Sequence, residues 1–342
     1  MNKKTIALLF FLVLFYQVAF AQQTILTNSN LPIMVITTDI DPNTNAPIEI
    51  PDEPKILATM LLIFRPDGTR NYLTDITNDS YLNYNGRIGI ELRGSSSQIL
   101  DKKPYGFSTL LEDDDSNNNV SLLGMPSEND WVLNSLAYDP SMIRDYLSYT
   151  LAANMGNYAP RVKYIEVIVN DDYKGVYILT EKIKRDSDRV NLKKIDDEDT
   201  DLPEVTGGYI VKADKTTGGD EVAWTMPNYG GWETDFLHHY PKTEDITTEQ
   251  AAYIETVFRD LETQTNLANA SIINGYPSII DVPSFLDYMI VAEIASNPDS
   301  YQFSTFFHKD RGGKLRAGPV WDYNLSYGND LFVFDFDRSF YD

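Results

Sequence analysis

The chain has 342 residues, with 51 acidic against 28 basic side chains, a formal charge of −23, no cysteine and three histidines, His238, His239 and His308. So acidic a surface repels nucleic acid and anionic membranes, so neither is expected as a partner. The absent cysteines exclude thiol chemistry, disulfides and cysteine-ligated zinc. With so few histidines, any chemistry must rest mainly on carboxylates, Lys, Arg, Ser or Asn.

Residues 1–21 read as a signal peptide. Lys3 and Lys4 form a positive start, Ile6 to Phe15 an apolar run, and Ala19-Phe20-Ala21 a small-x-small cleavage pattern, with Gln22 as the expected mature start. The run falls short of the about 20 apolar residues that span a bilayer, and no other stretch is long enough. The expectation is therefore a secreted protein, in the periplasm, on the cell surface or outside the cell, with no membrane span after cleavage. Losing the two lysines takes the formal charge from −23 to −25. The remaining length suggests one large or two packed lobes.

Strands are expected at Pro32 to Ile36, Leu57 to Phe64, Arg87 to Leu92 and Lys103 to Leu111, with Asp113 to Asn119 as a solvated loop. Residues 141–155 read as a helix capped by Ser141 and stopped by Gly156. Tyr164 to Val169 and Gly175 to Thr180 form a hairpin about the Asn170–Gly175 turn, and Lys182 to Asp201 reads as a charged, exposed connector. Gly207 to Lys212 is a strand, and 247–263 and 283–296 are helices. Phe303 to Phe307 and Lys314 to Ala317 make a late β-hairpin about Arg311-Gly-Gly313. The fold class is α+β, sheet-rich first and helix-rich later. Asp39-x-Asp41-x-Asn43-x-Asn45 half-matches a calcium loop but lacks its Gly and Glu, and reads as a polar loop.

Two aspartate loops carry candidate chemistry. Ser296-Asn297-Pro298-Asp299-Ser300 follows a helix, and Gly318-Pro319-Val320-Trp321-Asp322-Tyr323-Asn324 follows a strand. Asp322 and Asn324 offer the hard oxygen ligands that Mg²⁺ takes beside phosphate and water. Asp299 is suited to accept or position a hydroxyl proton. Glu91-Leu92-Arg93-Gly94-Ser95-Ser96-Ser97 ends a strand with a cation and glycine-serine backbone open to an anion, without the spacing of a Walker loop. Lys102-Lys103-Pro104-Tyr105 then enters the next strand.

Taken together, Ile90 to Ser97, Lys103-Pro-Tyr105, Met142-Ile-Arg-Asp145, Val169 to Ile183, Asn297-Pro-Asp299 and Pro319 to Asn324 resemble the CotH kinase family, the spore coat protein H-like atypical protein kinases, over residues 30–330. The resemblance implies a two-lobe, atypical protein-kinase-like fold. Residues 22–80 would be an N-terminal β-rich segment, 81–185 a kinase-like N-lobe and 186–342 a kinase-like C-lobe. Arg93, Ser95 and Ser96 would cover the phosphates of ATP, Lys103 would reach them, and a hinge would lie near Glu181. Asp299 would be the catalytic Asp, and Asp322 with Asn324 would hold Mg²⁺ or Mn²⁺. Ser304 stands five residues after Asp299, where the kinase loop has Asn, and the helix offers Asp145 where a Glu would pair with Lys103.

The implied function is an exported kinase transferring the γ-phosphate of ATP to Ser or Thr of a protein phosphoacceptor outside the cytoplasm. The alternative is a catalytically inactive kinase-fold protein that binds a surface or matrix. A third reading is a carbohydrate-active protein with Asp299 and Asp322 as an acid/base pair. Leu331 to Phe336 and Phe340-Tyr341 read as the start of further structure, so the chain is expected to be truncated at Asp342.

Overall fold

A computed structural model of the chain describes residues 25–216, 220–228 and 231–329. The expected signal peptide and the apolar stretch from Leu331 lie outside the described residues.

Seven strands close into a barrel. They are β1 (Ile33–Thr38), β2 (Ile56–Ile63), β3 (Leu82–Leu92), β4 (Tyr105–Leu110), β5 (Asp130–Asn134), β6 (Val162–Val169) and β7 (Asp172–Glu181), in the spatial order β6-β7-β5-β4-β3-β2-β1. Every neighbouring pair is antiparallel except β1 and β6, which run parallel and close the barrel, with Ile33 beside Glu166 and Ile36 beside Val169. Alternate residues fill the interior, among them Met60, Ile90, Phe107, Trp131 and Tyr177. The period of two puts the residues between them, Glu91, Gly106, Ser108 and Asp130, on the outer face. The barrel draws β1 and β2 from the 22–80 segment and its other strands from 81–185, so those two segments share one sheet.

The hairpin between β6 and β7 is tighter than the sequence suggested. Asn170 and Asp171 form a two-residue turn with φ of 49° and 63°, and β7 already begins at Asp172. Helix α1 (Arg144–Asn154) fills the connection between β5 and β6. Its start is held by Asp139 rather than Ser141. The Asp139 carboxylate accepts the Arg144 N–H at 2.9 Å and the Ser141 hydroxyl at 2.6 Å, so the expected cap is itself a donor.

The second half carries β8 (Tyr209–Ala213), β9 (Trp224–Pro227), β10 (Glu233–Tyr240), β11 (Thr305–Lys309) and β12 (Leu315–Ala317) in an antiparallel sheet of order β9-β10-β8-β11-β12. The late hairpin is its β11–β12 edge. Helix α2 (Thr248–Asn266), started by the Thr247–Gln250 capping box, lays Ile254 and Phe258 on this sheet against Trp224 and Phe236. Two further helices follow, a single turn α3 (Tyr276–Ile279) and α4 (Val282–Ala295), the latter capped by Asp281. Tyr288, Val291, Ala292 and Ala295 of α4 meet Tyr149 and Ala152 of α1 in a core shared with Val320 and Tyr323. This core ties the two aspartate loops to α1. The 182–201 connector is not simply exposed, because Arg189, Val190, Leu192 and Ile195 are buried. The fold is α+β, with sheets in both halves. Among the described residues no helix is long and apolar enough to cross a membrane.

Candidate functional site

The loop after β12 is fixed by α1. Asp145 and Tyr149 stand four residues apart on one helix face. The Tyr149 hydroxyl accepts the Asp322 N–H at 3.1 Å, and Asp145 Oδ1 accepts the Tyr323 N–H at 2.7 Å. Two consecutive backbone donors are thus held by one helix. Asp322 takes φ of 60°, a left-handed conformation costing a non-glycine residue roughly 1–2 kcal/mol. The two bonds, at about 1 kcal/mol each, offset that cost. The Asn324 amide donates to Asp322 Oδ1.

The loop after α4 is also wound through left-handed residues, Ser296, Tyr301 and Ser304. The Asp299 carbonyl accepts the Phe303 N–H at 2.8 Å. Asp299 comes close enough to Asp322 for their charges to interact. Burial first, then the Asp299 carboxylate, push the Asp322 carboxyl up to about 6, while Arg93 and Lys215 oppose the rise. Arg93 comes from the barrel side, at the end of β3, and its guanidinium lies over the Trp321 ring at 5.5 Å. Trp321 in turn stacks on Tyr149, with centroids 6.3 Å apart. Burial pulls the Arg93 pKa below its usual value, and Asp322 is the strongest charge resisting that. Lys215 comes from the other side, just after β8, with its ammonium over Phe303 at 5.5 Å. The carboxylate pair therefore sits between a cation of each half.

Asp145 is itself pushed up to about 7, by burial first and then by the Asp322 charge, even though it accepts the Tyr323 N–H. Its other oxygen accepts the Asn134 amide of β5 at 2.9 Å. The acid on α1 is thus paired to an amide, not to Lys103. The Lys103 ammonium instead donates to the Gln98 carbonyl within its own loop, at 2.6 Å. That loop contains Ser95 and the short 3₁₀ turn Ser96–Ile99. It turns at Gly94, where φ is 87° and an added Cβ would lie 2.2 Å from Ser97 Oγ. Ser96 offers its carbonyl to the Tyr138 hydroxyl at 3.0 Å.

Glu181 lies apart from these groups and is fully buried. Its oxygens accept the Arg161 guanidinium at 2.9 Å, the Arg161 N–H at 2.9 Å and the Tyr158 hydroxyl at 3.2 Å. Ser304 is half-buried directly ahead of β11.

Below the Arg93 loop, the outer barrel face carries charges that the sequence reading passed over. Lys55 donates to Ser108 at 2.6 Å, Ser108 to Asp130 at 2.7 Å, and Lys184 to Asp130 at 2.9 Å. Burial alone would raise the Asp130 carboxyl, but Lys182 and Lys184 hold it well below the usual range. Lys55 stands just ahead of β2, Lys182 just after β7, and Asp214 and Lys215 just after β8, and this placement at strand ends is the one signal that would have singled them out.

A divalent cation fits this donor set. Asp322, Asn324 and the neighbouring Asp299 carry hard oxygens, and the Asp322 carboxyl is raised by burial first and then by the Asp299 charge, which a cation there would relieve. Among the described residues no three carboxylate or imidazole groups form a metal cage. Such an ion would thus keep positions for water or phosphate oxygens, as Mg²⁺ prefers.

The fold and site define an α+β protein with two loop aspartates between a barrel and a second sheet. The CotH kinase protein family matches residues 90–332, well over half of the chain, and the protein belongs to that family. No curated protein matches the sequence.

Proposed function

We propose that the protein is an exported kinase, transferring the γ-phosphate of ATP to Ser or Thr hydroxyls of proteins outside the cytoplasm. The observation that carries this reading is the Asp299–Asp322 carboxylate pair set between Arg93 and Lys215 in a member of the CotH kinase family. Kinase chemistry is mainly positioning and charge neutralisation, which such a pair with flanking cations supplies. Asp299 would accept or orient the acceptor hydroxyl. Asp322 and Asn324 would hold Mg²⁺ or Mn²⁺, which supplies charge neutralisation at the phosphates. Arg93, steadied on Trp321, would face the transferred group, with the Gly94–Ser96 backbone covering the donor phosphates. In this reading the barrel and the second sheet unit are the two lobes, and the N-terminal signal provides the export route.

The test is phosphorylation from labelled ATP with Mg²⁺ or Mn²⁺ by the mature chain, of itself or of exported proteins. Asp299→Ala and Asp322→Ala are each expected to abolish labelling, and labelling that survives both overturns the site assignment. Two observations favour a second reading, a non-catalytic binding protein on this scaffold. Ser304 replaces the loop Asn, and Asn134 meets the helix acid where kinases place a Lys. An unchanged melting temperature in millimolar ATP and Mg²⁺ would decide for that reading.

A further inference from the structure

In a protein kinase, the strand before the regulatory helix supplies the phosphate-binding Lys, paired to an acid on that helix. Here the strand before α1 is β5, Asp130-Trp-Val-Leu-Asn134, and it carries no cation. Its Asn134 occupies the helix acid instead. Lys103 is turned to the Gln98 carbonyl. If the donor phosphates are held by a lysine, it must come from another strand.

We infer that Lys182, at the end of β7, is the lysine that contacts the donor phosphates. This rests on the kinase reading above. The register supports it. Thr180 pairs with Val132 and Glu181 with Trp131, so Lys182 falls across from Asp130. Glu181 and Trp131 point inward, and the next pair, Lys182 and Asp130, lies on the outer face beneath the Arg93 loop. That face is kept low by Gly106, where an added Cβ would come within 3.3 Å of Glu91 and 3.9 Å of Arg93.

The electrostatics agree. Lys182 is open to solvent, yet among the described residues its ammonium makes no hydrogen bond or ion pair. It feels Lys55 and Arg93 as repelling neighbours, against Asp130 and Glu91, and surrounding protein mass lowers its pKa. Asp130 is already bound by Lys184 and Ser108, and Glu91 stands 4.0 Å from Lys55. Lys182 thus stands in the fields of Arg93 and Lys55 and holds unused donors. A polyphosphate is the ligand that relieves such crowding, because each oxygen answers a cation that repels its neighbours.

The test is calorimetric binding of ATP, ADP and adenosine, with Mg²⁺, to the mature chain and to Lys182→Ala, Lys182→Gln and Lys103→Ala. The expected result is a loss of about tenfold or more in ATP and ADP affinity for both Lys182 variants. Adenosine binding should be unchanged, and Lys103→Ala should stay within about twofold of the parent. Among the described residues the Lys182 ammonium makes no hydrogen bond, and Asp130 keeps Lys184 and Ser108 as partners, so losing the Lys182 charge should lower the melting temperature only slightly and both variants should stay folded. Unchanged ATP affinity in folded Lys182 variants overturns the inference and leaves the kinase reading standing, as does a loss confined to Lys103→Ala. Equal losses for adenosine and ATP also overturn it, since they place Lys182 on the base. A parent that binds no ATP overturns both readings at once.

Discussion

Replacing Glu181 should cost stability and leave nucleotide binding alone. Its carboxylate is buried and saturated by Arg161, both main chain and side chain, and by the Tyr158 hydroxyl. Glu181→Ala strips the acceptor from that hydroxyl and from the Arg161 N–H, at about 1–3 kcal/mol for each donor left bare. The Arg161 guanidinium is nearly half exposed and keeps the Asp188 carbonyl, so it returns to water at little cost. A total near 3–4 kcal/mol follows, and at about 2–4 °C per kcal/mol the melting temperature should fall by roughly 10 °C. Arg161→Ala keeps the main-chain and Tyr158 bonds but leaves a buried carboxylate without its cation, and should cost a comparable amount, about 3 kcal/mol. Urea unfolding of the two variants beside ATP calorimetry is the assay. A Glu181→Ala protein that melts like the parent but no longer binds ATP would refute the reasoning and put Glu181 on the nucleotide.

Asp145→Ala leaves the Tyr323 N–H and the Asn134 amide without acceptors, so a stability loss of about 2 kcal/mol is expected. Release of the Asp322 loop should also lower kcat by roughly 10–100-fold. Asp145→Asn keeps the acceptor for Tyr323 but sets its amide against Asn134, and should fall between the two; equal kcat in all three proteins would show that α1 does not position the loop. Acid should weaken the fold through His239 and His308, whose rings donate to the Ile183 and Gly318 carbonyls at 2.8 and 2.9 Å. Burial lowers both to about 4 from the ordinary 6.5, so between those values the unfolded chain binds more protons and stability falls with pH. The loss is at most roughly 3 kcal/mol per ring. Thermal unfolding at pH 7 and 4.5 should show a loss that shrinks in a His239→Gln, His308→Gln double variant, and a loss of full size there would remove the histidines from the account.

Much of the candidate site could be read in the chain because its parts lie at element ends. The Asp299 and Asp322 loops follow a helix and a strand whose patterns are plain, and Arg93 ends a strand of clear alternation. The outer-face cations were not legible. Lys55 and Lys182 look like ordinary surface lysines until strand pairing sets both near Asp130. β5 escaped notice because its run, Asp130-Trp-Val-Leu-Asn134, is only five residues long. The 182–201 connector misled for a different reason. Arg189 is buried with its guanidinium given to the nearby Lys182 carbonyl and to the Asp130 carbonyl, the latter far away in the chain. Ser141 looked like a cap because local sequence cannot show that Asp139 would take the Arg144 N–H first.

The parallel pairing of β1 with β6 has a consequence for how the chain folds. β1 and β2 can form a hairpin soon after they are made, but Ile33 must wait for Glu166 before the barrel closes. Closing so long a loop is entropically costly and slow. Until then β1 presents one bare edge, which another strand could capture. A chain emerging N-terminus first from a ribosome therefore has to deliver about half its length before β1 is enclosed. Shielding of that edge over the interval, rather than the strength of the finished core, would set the yield of native protein.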